Sequence, residues 1–199
     1  MEIIPFIRLK KRKIITEKGD LLSLDETRKL VNKEGQIYIL DLDGIEKNRP
    51  NLCLYPKISE FQKIWVDAGP RVLGDIVDTV MAGAANITVR KKLWPDLHVP
   101  SIKEITESRI YTDIDTTTHN MYGVDFSLLD YIDGLVNFTS KNHIENDFKF
   151  SSHLKDLCAK YKMYAYESSP ENFPYWKTLG VAGLLIDINE IKEAHRNGI

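Results

Sequence analysis

Eight short runs rich in β-branched and aromatic residues recur along this chain, with helix-like segments between them. That alternation restricts the fold more than any other feature. The runs are Glu2–Arg8, Gln36–Leu42, Lys63–Ala68, Asn86–Arg90, Arg109–Asp115, Gly134–Thr139, Lys162–Glu167 and Val181–Ile188. Each has the length and composition of a strand. Several are apolar almost throughout, as strands are when both faces of a parallel sheet are covered. Between them, Ser23-Leu24-Asp25-Glu26 opens a helix with a capping serine and acidic first-turn residues. Arg71–Met81, Ser101–Glu107, Asp125–Tyr131, Ser151–Tyr161, Pro170–Thr178 and Glu190–Arg196 are the later helical segments. Leu52–Phe61 contains Pro56 and has room only for a short helix, while Trp94–Pro100, with two prolines, reads as a loop. Strand and helix alternating eight times predict a closed (β/α)8 barrel, one domain over residues 1–199, with a doubly wound open sheet as the competitor. The 199 residues fall at the short end for such barrels, which usually need roughly 200 to 250.

Composition excludes several function classes. A net charge of −2 leaves no electrostatic footprint for nucleic acid or a membrane surface. The basic cluster Lys10, Lys11, Arg12, Lys13 reads as a solvated loop. No apolar run approaches the roughly 20 residues of a membrane span, and no leader pattern opens the chain, so a cytoplasmic protein is expected. Cys53 and Cys158 fit no metal or redox spacing and are expected as buried thiols. The five histidines show no ligand spacing; His119 alone follows a strand closely enough to reach its end.

Four segments carry a family likeness. They are Ile3-Ile4-Pro5-Phe6-Ile7-Arg8-Leu9 with Lys13-Ile14-Ile15, Asp41-Leu42-Asp43-Gly44-Ile45-Glu46 with Asn51-Leu52, Asp67-Ala68-Gly69-Pro70-Arg71, and Thr112-Asp113-Ile114-Asp115 with Asp125-Phe126-Ser127. Together they resemble the phosphoribosylformimino-aminoimidazole carboxamide ribotide isomerases of histidine biosynthesis. The resemblance implies a (β/α)8 scaffold and a site at the C-terminal strand ends. It also implies a catalytic Asp ending strand one and glycine-rich phosphate turns after strands three, four, seven and eight. The chain departs from both. Arg8 stands at the first Asp position, and the third turn keeps only Gly69. Arg90-Lys91-Lys92, Glu167-Ser168-Ser169-Pro170 and Asp187-Ile188-Asn189 occupy the other three turns. An aspartate beside a phosphate site repels it, so the family's own reaction on a doubly phosphorylated ribotide is not expected. By motif Arg109–Asp115 resembles the family's sixth strand; by order it is the fifth, which places Asp115 like the family's second catalytic Asp.

Strand ends in such a barrel converge on the active site. Here they supply Arg8, Asp41, Asp43, Asp67, Arg90, Asp113, Asp115, Thr139, Lys141, Glu167 and Asp187. Alternation puts Asp41 with Asp43, and Asp113 with Asp115, on common faces. Some of these carboxylates serve as helix caps; Asp41, Asp67, Asp113 and Asp115 form the expected catalytic core. Paired carboxylates can divide into acid and base. Arg8 and Arg90 can grip an anion, with Asp43, Gly69, Thr112, Thr139, Lys141 and Glu167 as further substrate contacts. The expected activity is an isomerase or lyase reaction on a small anionic metabolite, phosphorylated ones included, with no cofactor. Carboxylate-bound Mg²⁺ is the variant reading, although no metal-specific spacing exists. Two alternatives stand beside it: a barrel that binds without catalysing, and a Schiff-base aldolase using Lys141.

Overall fold

The computed structural model describes residues 1–31, 35–114 and 128–191. Ten strands follow in chain order: β1 Glu2–Lys10, β2 Lys13–Ile15, β3 Leu21–Leu22, β4 Gln36–Asp41, β5 Lys63–Asp67, β6 Ala84–Val89, β7 Arg109–Asp113, β8 Gly134–Asn137, β9 Met163–Tyr166 and β10 Gly183–Asp187. Eight of them pair in parallel in the order β1-β4-β5-β6-β7-β8-β9-β10, and β10 returns to β1, so the sheet closes. The expected barrel is present, and the open sheet is ruled out by the β10–β1 ladder from Glu2↔Gly183 to Phe6↔Asp187. Counted around the barrel, Arg109–Asp113 is the fifth strand. Among the described residues no helix is long and apolar enough to cross a membrane.

Eight helices are described: α1 Leu24–Leu30, α2 Leu42–Lys47, α3 Tyr55–Ser59, α4 Leu73–Met81, α5 Val99–Ile105, α6 Lys141–Asn146, α7 Phe148–Lys160 and α8 Phe173–Leu179. Ser23 caps α1 as expected: its side chain accepts from the Glu26 amide while the Glu26 carboxylate takes the Ser23 amide. Pro56 sits in the first turn of α3, where a missing N–H costs nothing. The same logic converts part of the expected Trp94–Pro100 loop, because Pro100 lies in the first turn of α5. The short antiparallel flap β2–β3 was not foreseen; it folds back on β1 through Arg8↔Ile15 and Lys10↔Lys13. Of the expected Asp125–Tyr131 helix, residues 125–127 lie outside the described residues, as does most of Glu190–Arg196.

Two apolar layers hold the fold. The outer one fills the space between strands and helices, from Ile7, Ile37 and Ile64 on one side to Leu154, Trp176 and Leu184 on the other. The inner one fills the barrel lumen with Ile4, Phe6, Tyr38, Trp65, Tyr111, Val136, Tyr164 and Leu185. Branched aliphatics usually dominate a barrel lumen; here five of these eight are aromatic. Trp65 and Tyr111 lie 4.0 Å apart, and Tyr164 meets both edge-on. Gly134 and Gly183 make room for them. A Cβ on Gly134 would stand 2.5 Å from the Lys162 carbonyl and 3.1 Å from the Tyr111 ring, and one on Gly183 would crowd Tyr164 at 3.0 Å. The polar ends of the lumen aromatics find partners. Trp65 Nε1 donates to Thr88 Oγ1 at 3.0 Å, and the Tyr38 hydroxyl reaches the same oxygen at 3.1 Å.

Candidate active site at the barrel mouth

Strand phase decides which side chains face the mouth. Side chains two residues beyond a lumen residue continue into the mouth; those three beyond it point to the helix layer. Arg8 follows Phe6, Asp67 follows Trp65, Arg90 follows Thr88, Asp113 follows Tyr111 and Asp187 follows Leu185, all by two. Asp41 lies three beyond Tyr38 and Glu167 three beyond Tyr164, so both leave the site.

Two arginine clusters build the mouth. Arg90 binds Asp67 with both arms, Nε to Oδ1 at 3.0 Å and Nη2 to Oδ2 at 2.6 Å, and gives Nη1 to Asp113 at 2.9 Å. Its guanidinium lies 5.4 Å over the Phe138 ring. Asp67 is fully buried and also accepts from the Tyr38 hydroxyl at 2.9 Å. Burial acts to lower the Arg90 pKa, but the charge and hydrogen bonds of Asp67, with Asp113 behind, raise it on balance. Tyr38 is raised well above its ordinary value by burial first and Asp67 second. Across the mouth, Arg8 donates to the Tyr166 hydroxyl at 3.1 Å, approaches Asp187 at 3.4 Å and Glu17 at 3.8 Å, and stacks over Phe6 and Tyr166. Tyr166 is also raised, by burial and by its hydrogen bond to Glu17, against the lowering influence of Arg8.

The remaining expected residues are drawn into structure. Asp41 caps α2: its oxygens accept from the Gly44 amide at 3.1 Å, the Asn51 side chain at 2.8 Å, the Asn51 amide at 2.5 Å and the Tyr55 hydroxyl at 2.6 Å. Every acceptor position is used, so this carboxylate leaves the catalytic set. Asp43 does not share a strand face with Asp41, because the chain turns helical at Leu42. It takes the Lys11 amide and the Lys47 ammonium instead, which lowers its pKa, the Lys11 bond contributing most. Glu167 anchors α8 through Trp176 Nε1 at 2.8 Å and accepts the Ser169 amide at 2.8 Å. Gly69 has φ +62°, and a Cβ there would meet Leu93 at 2.6 Å, so this turn is packed shut. Thr112 is buried one step out of the lumen phase, and Thr139 is tied to the Asn137 side chain beyond the end of β8. Lys141 opens α6, its ammonium 3.4 Å from Asn172, 3.8 Å from Glu145 and over the Tyr175 ring. The Schiff-base reading thereby loses its premise of a strand-end lysine. Cys53 is exposed, against expectation, while the partly buried Cys158 thiol is pushed up to about 12. Asp115 and His119 lie outside the described residues.

Sequence reasoning missed Tyr38, Phe138, Tyr166 and Glu17. The first three were available from lumen phase, since Tyr166 follows Tyr164 and Phe138 follows Val136 by two; Glu17 depends on the unforeseen flap. Among the described residues no group of three or more His, Cys, Asp or Glu converges as a metal site, so the Mg²⁺ variant finds no ligand set there. Compared with known proteins, the sequence matches no family model and no curated protein. The isomerase resemblance is supported only at the level of the barrel fold.

Proposed function

We propose that the chain is an enzyme that moves protons on a small anionic metabolite at the barrel mouth, in an isomerase or lyase reaction. The observation that carries this reading is the state of Arg8. Its guanidinium is stacked on two rings and held by long contacts, with the Tyr166 hydroxyl beside it. A guanidinium so placed keeps donors for a carboxylate or phosphate. Asp113 is the proton-carrying carboxylate, because its side chain is 11% exposed where that of Asp67 is fully buried. Tyr166, kept protonated by burial, supplies a nearby acid. Arg90 and Asp67 position Asp113 without touching substrate. The resemblance to ribotide isomerases supports this class of chemistry. Arg8 at the first catalytic position argues for a different substrate.

The test is a melting screen against sugar phosphates and 2-oxo acids, followed by turnover on any hit. Binding should raise the melting temperature by mass action. Arg8→Met should lose that shift; Asp113→Asn should keep it and lose turnover. Turnover by Asp113→Asn at the wild-type rate would remove the proposal. The second reading, a barrel that binds without catalysing, draws on the tight closure of Arg90 by two aspartates. It predicts binding that no mouth carboxylate converts to product.

A further inference from the structure

We infer that a second anion site, separate from the mouth, lies in the cleft between the β1–β2 turn and the loop after α2, and that it takes a small phosphorylated molecule. The cleft encloses about 440 Å³ and is lined by Lys11, Arg12, Asp43, Lys47, Arg49, Pro50, Asn51, Leu52 and Cys53. That volume lies within the usual span for small-molecule sites, roughly 300 to 1,000 Å³. Four cations face one carboxylate in a chain whose net charge is −2. Lys47 is engaged by Asp43 at 3.3 Å. Lys11, Arg12 and Arg49 make no ion pair among the described residues.

The backbone has been shaped to present them. Lys10 and Lys13 pair across a two-residue turn, and both turn residues are left-handed, Lys11 at φ +50° and Arg12 at +60°. Such turns select Asn and Gly, because a side chain there is strained. Asn48, just before Arg49, is left-handed at +53°. These three are the positive-φ residues other than glycine among the described residues, and all flank this cleft. The turn is locked in place: its Lys11 amide goes to Asp43 and its Arg12 amide to Asn51 Oδ1 at 2.7 Å. Pro50, Leu52 and Cys53 give the cleft an apolar side, which suits an organic phosphate better than a free ion. The turn residues of the basic run are exposed, as its sequence suggested, and the two amide bonds fix them as one wall of the cleft.

Cys53 is exposed and lines the cleft, so it reports occupancy. Full-length protein is labelled with N-ethylmaleimide at constant ionic strength, and modification of Cys53 is followed by peptide mass, apart from Cys158. Pyrophosphate and ribose 5-phosphate are the probes, with sulfate as control. At a probe concentration about ten times its Kd, labelling should slow about tenfold by mass action. Arg12→Gln/Arg49→Gln should abolish that protection with no loss of melting temperature, since neither side chain has an ion pair among the described residues. Protection that persists in the double variant, or equal protection by sulfate, overturns the site. Protection by duplex DNA or by phosphatidylserine vesicles without protection by either phosphate overturns the assignment to a small molecule.

Discussion

Arg8 and Arg90 occupy opposite sides of one barrel mouth and are equally buried, with side-chain exposures of 17% and 18%, yet they are held in different ways. Arg90 makes three bonds of 2.6 to 3.0 Å to two aspartates. Arg8 makes two longer bonds, 3.1 Å to a phenol and 3.4 Å to Asp187, and reaches Glu17 only at 3.8 Å. The partners differ as well. Without Arg90, Asp67 keeps, among the described residues, the Tyr38 hydroxyl alone. Without Arg8, Asp187 keeps the Glu17 amide at 2.6 Å and the Asn189 amide at 3.2 Å. Burial alone therefore does not distinguish a strut from a ligand-ready group. What distinguishes them is how much of the partner's hydrogen bonding depends on the arginine.

The largest effect that would break this contrast is on stability at Arg90. Arg90→Met strands the Asp67 carboxylate in a fully buried position, and loss of one partner of a buried pair costs about 3 to 5 kcal/mol. Urea denaturation measures it directly. A loss below about 1 kcal/mol, the range of an exposed pair, would mean that Arg90 is no strut. A second variant locates the cause. Adding Asp67→Asn to Arg90→Met removes the stranded charge and should recover about 1 to 3 kcal/mol, because a neutral amide is cheaper to bury than an unpaired carboxylate. If the double variant is no more stable than Arg90→Met, the cost lies in lost packing on Phe138 instead.

The contrast also marks how far the sequence could be read. The barrel was legible because eight apolar runs at regular spacing leave few ways to cover both faces of each strand. The mouth was legible in part. Asp67, Arg90 and Asp113 stand at strand ends and in lumen phase, so their convergence follows from strand count and alternation. Asp41 and Glu167 stand equally near strand ends but one step out of phase, and a shift of one residue sends a side chain to the other face. Fixing that phase required knowing which of two apolar rows fills the lumen. Both rows of β4, Ile37-Ile39 and Tyr38-Leu40, are apolar, so the sequence of that strand does not distinguish them. The flap that brings Glu17 to Arg8 was illegible for another reason: Lys11 and Arg12 form its turn without the glycine or asparagine that usually announces one.

On the other side of the mouth the expected stability effect is smaller and the functional effect larger. Arg8→Met should cost less than Arg90→Met, about 1 kcal/mol as for the net loss of a hydrogen bond, because Asp187 keeps two amide donors. The same variant should lose the melting shift given by an anionic ligand. Destabilisation on the scale of Arg90→Met would make Arg8 a strut too, and would remove the basis for assigning it to substrate.

The smallest effect is on the two phenols beneath the arginines, both raised above the ordinary tyrosine value of 10.0. A raised pKa in the folded state means the native protein holds the phenolic proton more tightly. The resulting stability is complete below about pH 10 and is lost as pH rises from there through the folded values. Tyr38 is wholly buried and its oxygen is bonded to Asp67 and Thr88, so its ionisation should coincide with unfolding. Tyr166 is partly exposed and its hydroxyl meets Arg8 and Glu17, so its phenolate is the less costly of the two to form. Arg8 favours the phenolate of Tyr166, by hydrogen bond and by charge. Arg8→Met should therefore move the Tyr166 titration to higher pH and leave Tyr38 where it was. Absorbance at the tyrosinate band, differenced against Tyr166→Phe, separates the two. A Tyr166 titration that stays put in Arg8→Met would show that the guanidinium does not sense the phenol, and the proton donor proposed beside the anion site would have to be sought elsewhere in the mouth.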